Sequence, residues 1–101
     1  MILSVSKLQG VRDILQQLGF EETWGGLWAL QMKEQGTQYV IAWTTFVVEK
    51  GNRKVVWVDR YLVRLNLASI ELQYVEPDQL PETLKEKMKE AETKIRQVIW
   101  L

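Results

Sequence analysis

The chain has 101 residues, with neither cysteine nor histidine, and its 13 basic side chains balance its 13 acidic ones. This length suits one domain that folds without disulfides or a structural metal. The missing residue types exclude disulfides, thiolate chemistry, imidazole-bound metals and histidine-dependent catalytic triads within the chain. The neutral net charge disfavours a dedicated binder of duplex DNA or of anionic membranes. We therefore predict no metal, no cofactor and no membrane partner.

The N-terminal residues do not have the basic and then apolar layout of a secretion signal. No apolar run approaches the roughly 20 residues that a membrane-spanning helix needs. We expect a cytoplasmic location.

A first helix is predicted over residues 6–19, with Ser6 as its N-cap. Gly19 followed by Phe20 is typical of a Schellman ending. The apolar spacing of three and four residues that favours this helix is formed by Leu8, Val11, Leu15 and Leu18.

A second helix is predicted over residues 81–100, where Pro81 suits its first turn. Its apolar stripe consists of Leu84, Met88, Ala91, Ile95 and Val98. Its other side is expected to be a solvated face with four acid-before-base pairs, Glu82/Lys85, Glu86/Lys89, Glu90/Lys94 and Glu92/Arg96.

Strands are predicted between the helices, over residues 27–33, 38–49, 54–65 and 70–75, the last of them at an edge. The two long strands are dense in β-branched and aromatic residues. Gly51-Asn52 between them is a hairpin turn signal. We predict a single α+β domain over residues 1–101, with a three- to four-stranded antiparallel sheet and the order αβββ(β)α.

The Gly51-Asn52 turn fixes the register of the two long strands, which places Trp43 opposite Arg60 and Glu49 opposite Lys54. One side of this hairpin, the Phe46 face, carries Val40, Ala42, Thr44, Phe46 and Val48 opposite Val63, Tyr61, Asp59, Trp57 and Val55. The other side, the Trp43 face, carries Tyr39, Ile41, Trp43, Thr45, Val47 and Glu49 opposite Arg64, Leu62, Arg60, Val58, Val56 and Lys54. A three-residue loop in the preceding hairpin would add Trp28, Leu30 and Met32 to the Phe46 face.

The Phe46 face carries fewer polar residues along its length than the Trp43 face, so we expect it to be the core beneath both helices. The Trp43 face would then leave a large apolar patch exposed. The alternative is one helix on each face and no special surface.

An exposed apolar centre with an aromatic anchor and an arginine rim favours a non-catalytic protein-interaction module, most simply a homodimer. The predicted interface residues are Tyr39, Ile41, Trp43, Val47, Val56, Val58, Arg60, Leu62 and Arg64. The alternative is single-stranded nucleic-acid binding on the same face, with bases stacking on Tyr39 and Trp43 between Arg60 and Arg64.

We do not expect an enzyme. Asp59 is the one carboxylate that the register points toward apolar neighbours, which makes it a candidate for a functional group. The competing interpretation is structural, with Asp59 accepting a hydrogen bond from Tyr61, from Trp57 or from a backbone amide.

Overall fold

The computed structural model describes residues 1–100, and within them the chain forms six strands and two helices. The elements in chain order are β1 (Ile2–Ser4), α1 (Leu8–Gln17), β2 (Glu21–Trp24), β3 (Leu27–Glu34), β4 (Thr37–Lys50), β5 (Arg53–Asn66), β6 (Glu71–Tyr74) and α2 (Glu82–Ile99), with 3-10 turns at Val5–Lys7 and Pro77–Gln79. The α+β class and the terminal helices are confirmed. No helix in residues 1–100 combines the length and the apolar character needed to cross a membrane.

The sheet is antiparallel, with six strands rather than the predicted three or four. Its order is β1-β5-β4-β3-β2, and β6 also pairs with β5. The two additional strands, β1 and β2, have three and four residues. Strands this short contain too few residues for an alternating pattern to be recognised in the sequence.

The predicted register of the long hairpin is confirmed along its whole length. Lys50 pairs with Arg53, Glu49 with Lys54 and Trp43 with Arg60. Gly51 has φ +66°, which suits the first central position of a two-residue hairpin turn.

The hairpin of β3 and β4 has a two-residue loop, Gln35-Gly36, rather than a three-residue one. Both loop residues have positive φ, +49° and +78°, as a type I′ turn requires. Because a one-residue change in register moves every side chain to the opposite face, Trp28 lies opposite Trp43 and belongs to the Trp43 face. Leu30 and Met32 follow it there.

The ends of α1 show one correct prediction and one wrong one. The Phe20 amide donates to the Leu15 carbonyl at 2.9 Å and the Gly19 amide donates to the Gln16 carbonyl at 3.1 Å, which is the Schellman pattern. Ser6, in contrast, is not the N-cap, since it lies inside the 3-10 turn that leads into α1.

Both helices pack on the Trp43 face, which makes it the core and not the exposed surface that we expected. Ile41, Trp43, Val56, Val58 and Leu62 are all 6% exposed or less. They form one cluster with the apolar stripes of the two helices. The helices also touch each other, because a Cβ at Gly10 of α1 would lie 3.1 Å from Cγ1 of Val98 in α2. The alternative with one helix on each face is therefore wrong as well.

Candidate functional site

The nine predicted interface residues do not form an accessible surface. Five of them are buried in the core, namely Ile41, Trp43, Val56, Val58 and Leu62. Tyr39, Arg60 and Arg64 are half-buried, and Val47 alone is exposed. Bases cannot stack on a tryptophan that the chain's own helices cover, so the nucleic-acid alternative on the Trp43 face is wrong for the same reason.

The arginines of the Trp43 face have partners within the chain. Arg60 forms an ion pair with Glu92 of α2. Arg64 donates from Nε and Nη2 to Oε1 of Gln73, at 3.1 and 2.8 Å. The predicted pair of Glu92 with Arg96 does not form, because Glu92 turns to the sheet, whereas Glu82–Lys85 and Glu90–Lys94 lie at 3.8 and 3.2 Å.

The Phe46 face is the open side of the sheet. Phe46, Val48, Trp57 and Tyr61 are each 37 to 40% exposed, although their neighbours on the strands surround them. The outer strands extend this apolar surface with four more exposed side chains, Ile2, Trp24, Leu72 and Tyr74. The position of these four side chains on the face depends on how the short edge strands pair with the sheet, which the sequence pattern does not predict.

Polar groups near the centre of the Phe46 face are satisfied within the chain. Oγ1 of Thr44 donates to the Trp57 carbonyl at 3.2 Å and accepts the Asp59 amide at 2.9 Å. Oδ1 of Asp59 accepts the Arg60 amide at 2.8 Å, and Oδ2 accepts the Tyr61 hydroxyl at 3.1 Å. These bonds support the structural interpretation of Asp59, and they leave the face with little demand for water.

Hydrogen bonding to Asp59, together with the charge of its carboxylate, raises the pKa of Tyr61 above its ordinary value of 10.0. Tyr61 is therefore a neutral hydrogen-bond donor at physiological pH. The Phe46 face carries one negative charge near its centre, that of Asp59, and the Tyr61 hydroxyl shares it.

The β4–β5 hairpin extends beyond β3 on one side, whereas β1 accompanies it on the other. The last pair of β3 with β4 joins Leu27 to Thr44, and the Thr45 amide donates to the Gly26 carbonyl at 2.6 Å. From Phe46 onward, β4 pairs with β5 alone. Because β1 pairs with β5 from Trp57 to Val55, only the last two pairs, Glu49–Lys54 and Lys50–Arg53, are two-stranded. The β4 edge beyond Thr45 is therefore open, while β1 covers the opposite edge of this hairpin.

Clusters of metal-ligating side chains do not occur in the described part of the chain: residues 1–100 contain no group of three or more acids that could hold an ion. No family model, no curated protein and no solved structure matches this chain significantly. The function has to be argued from the exposed surface itself.

Proposed function

We propose that this protein is a non-catalytic interaction module that self-associates through its Phe46 face. The observation that carries the proposal is the position of both helices on one side of the sheet, which leaves the other apolar side uncovered. The surface differs from the one that the sequence indicated, but the physical argument is the same: two helices cover one face and leave the other open.

The size of the Phe46 face supports a stable contact. The sheet is five strands wide and β3 has eight residues. At about 4.8 Å between strands and 3.3 Å per residue, the strands, of which β1, β2 and β6 have only three or four residues, together cover roughly 750 Å². A standard protein interface buries about 800 Å² on each partner. The face thus has the size of an interface.

A second copy of the chain is the partner that the charges favour. The charged side chains of the Phe46 face, apart from Asp59, lie at its margins: Lys33, Lys50 and Arg53 near the ends of their strands, and Glu21 on the edge strand β2. The chain has no net charge, so two copies do not repel each other overall. Two such faces can stack about 10 Å apart with their strands about 30° from parallel, which gives a four-layer α/β/β/α dimer with two-fold symmetry.

Single-stranded nucleic acid is the second class of ligand to test on this face. The exposed aromatic side chains there could stack bases: Trp24, Phe46, Trp57, Tyr61 and Tyr74. Against this class, the only charge near the centre of the face is the carboxylate of Asp59, which repels phosphate. We therefore favour protein association.

The test is the oligomeric state of the wild type and of Trp57→Glu, measured by sedimentation equilibrium over a range of concentrations. Trp100→Glu is the matched control, since Trp100 is 85% exposed at the end of α2 and lies outside the sheet. We expect a dimer for the wild type and for Trp100→Glu, and a monomer for Trp57→Glu, because each dimer would bury two added carboxylates.

A wild type that stays monomeric at high micromolar concentration would contradict the proposal, and so would a Trp57→Glu variant that still dimerises. A salt-sensitive shift on addition of a single-stranded oligonucleotide, lost in Trp57→Glu and found in a monomeric wild type, would favour the nucleic-acid alternative instead.

A further inference from the structure

A cleft lies between the side of α2 and the sheet, on the helix-covered side and away from the Phe46 face. Its volume is about 310 Å³, at the lower end of the range for small-molecule sites. Its walls consist of Met1, Trp43, Val58, Asp59, Arg60, Glu92, Ile95 and Arg96. The cleft therefore combines apolar side chains and a buried indole with two arginines and two acids.

The indole N–H of Trp43 is an unsatisfied hydrogen-bond donor in this structure. Its Nε1 is buried and has no hydrogen-bond acceptor, and no other buried side-chain nitrogen or oxygen in residues 1–100 is in this state. A buried donor without an acceptor costs about 1–3 kcal/mol. Trp28, by comparison, lies opposite Trp43 in the neighbouring strand and donates to Oγ1 of Thr45 at 3.1 Å. The fold thus supplies one core tryptophan with an acceptor and leaves the other without one.

Arg60 is the cationic group beside this indole, because β5 places it directly opposite Trp43. Its partner in the ion pair is Glu92, and the two side chains are each about a quarter exposed. Burial lowers the pKa of Arg60, against the opposing effect of the Asp59 charge. The guanidinium is thus partly dehydrated, which makes its interaction with an anionic partner stronger than it would be at an open surface.

We propose that this cleft binds a small carboxylate with a short apolar tail. The carboxylate would take the place of Glu92 as the partner of Arg60, and this displacement would bring an acceptor to Nε1 of Trp43, which is buried while Glu92 is in place. Val58 and Ile95 would contact the tail, and Arg96 adds positive charge at the wall. Because the site lies on the side of the sheet opposite the Phe46 face, it does not depend on self-association.

The test uses butyrate as the probe and 1-butanol, which has the same chain without the charge, as its control. Indole N–H signals are followed by two-dimensional NMR at constant ionic strength, and Trp43→Phe identifies the signal of Trp43 by its loss. We expect butyrate to shift this signal saturably in the millimolar range, and butanol to leave it unchanged.

The proposal predicts that two variants of the cleft change butyrate affinity in opposite directions. Glu92→Gln removes the competing carboxylate, so it should tighten butyrate binding by up to about fivefold, the value of a partly exposed ion pair. Arg60→Gln should abolish binding. Lys94→Gln removes a charge from the same helix outside the cleft, where Lys94 pairs with Glu90, and should change nothing.

Three results would overturn the proposal. The first is that butyrate does not shift the Trp43 signal saturably, so that the indole proton exchanges with water only. The second is an equal response to butanol, and the third is weaker butyrate binding in Glu92→Gln whose thermal unfolding matches that of the wild type. The dimer test is scored separately, by sedimentation, so the two proposals can fail independently.

Discussion

The two faces of the sheet differ less in how apolar they are than in where their polar residues lie. On the Trp43 face, the charged residues Glu49 and Lys54 are at the hairpin end, beyond the reach of the helices, and Arg60 near the middle lies where Glu92 of α2 pairs with it. On the Phe46 face, Thr44 and Asp59 lie opposite each other, close to the middle of the strands. The helices therefore cover the face whose central charge, that of Arg60, has its partner on α2, although the whole length of this face carries more charge.

The loop between β3 and β4 adds to this difference. Its two residues put Trp28 and Leu30 on the Trp43 face, so that the neighbouring strand enlarges the same core. One extra loop residue would have moved these side chains to the other side of the sheet. A count of apolar residues on a single hairpin is thus a poor guide to burial, because the third strand decides which face carries more large side chains.

The largest contrast between the faces is expected for a pair of identical substitutions. Val58 on the Trp43 face is 1% exposed and Val48 on the Phe46 face is 37% exposed, and both belong to the same hairpin. We expect Val58→Ala to lower the free energy of unfolding by about 2 kcal/mol, because it leaves a cavity in the core. Val48→Ala should cost less than about 0.5 kcal/mol in the monomer.

Urea unfolding at low protein concentration, where the monomer is measured, checks this contrast. Equal losses for the two variants would show that the Phe46 face is packed as tightly as the core, and the contrast between the faces would then be wrong.

A second pair of substitutions tests how the Phe46 face is held in place. Gly26 and Gly36 both have positive φ, +87° and +78°, so alanine is strained at either position. A Cβ at Gly26 would also lie 2.7 Å from Cδ1 of Phe46, whereas a Cβ at Gly36 would meet nothing within 4 Å. We expect Gly26→Ala to be less stable than Gly36→Ala by about 1 kcal/mol, the lower end of the overpacking range.

Thermal unfolding of these two variants provides the measurement. If their stabilities are the same, the Phe46 ring moves freely, and it cannot be a fixed anchor of the proposed interface.

Much of the fold follows from local signals in the sequence. The Gly51-Asn52 turn determines the register of a 14-residue strand pair, and Gly19 with Phe20 determines the end of α1. The choice of face depends instead on the Gln35-Gly36 turn. A glutamine with φ +49° is not a usual hairpin residue, so the two-residue loop could not be recognised in advance. The sequence therefore places the exposed apolar surface on the wrong side of the sheet. The reason for expecting such a surface is unchanged, because two helices cover only one face.

The effect of Asp59 on self-association should be smaller than that of Trp57→Glu and opposite in sign. In a two-fold dimer, two Asp59 carboxylates lose part of their hydration near the middle of the contact. Asp59→Asn removes both charges and keeps an oxygen for the Arg60 amide. We expect the dimer to tighten by about threefold, or roughly 0.7 kcal/mol. Sedimentation equilibrium would contradict this if the variant dissociated more readily than the wild type.

The smallest effect is expected at high pH, from the hydroxyl that Asp59 holds. The pKa of Tyr61 in the folded chain is raised above its ordinary value of 10.0, first by the hydrogen bond to Asp59 and then by the charge of that carboxylate. The folded state therefore binds this proton more tightly than the unfolded state. The resulting stabilisation is complete below pH 10.0 and is lost as the pH rises through the higher folded pKa.

The difference in unfolding free energy between the wild type and Tyr61→Phe isolates this group, since the other tyrosines contribute to both proteins. The difference should move against the wild type as the pH is raised from neutral to strongly alkaline. A constant difference would mean that Tyr61 and Asp59 do not interact in solution. In that case the carboxylate would stand unshared on the Phe46 face, which is the arrangement least compatible with a second copy packing there.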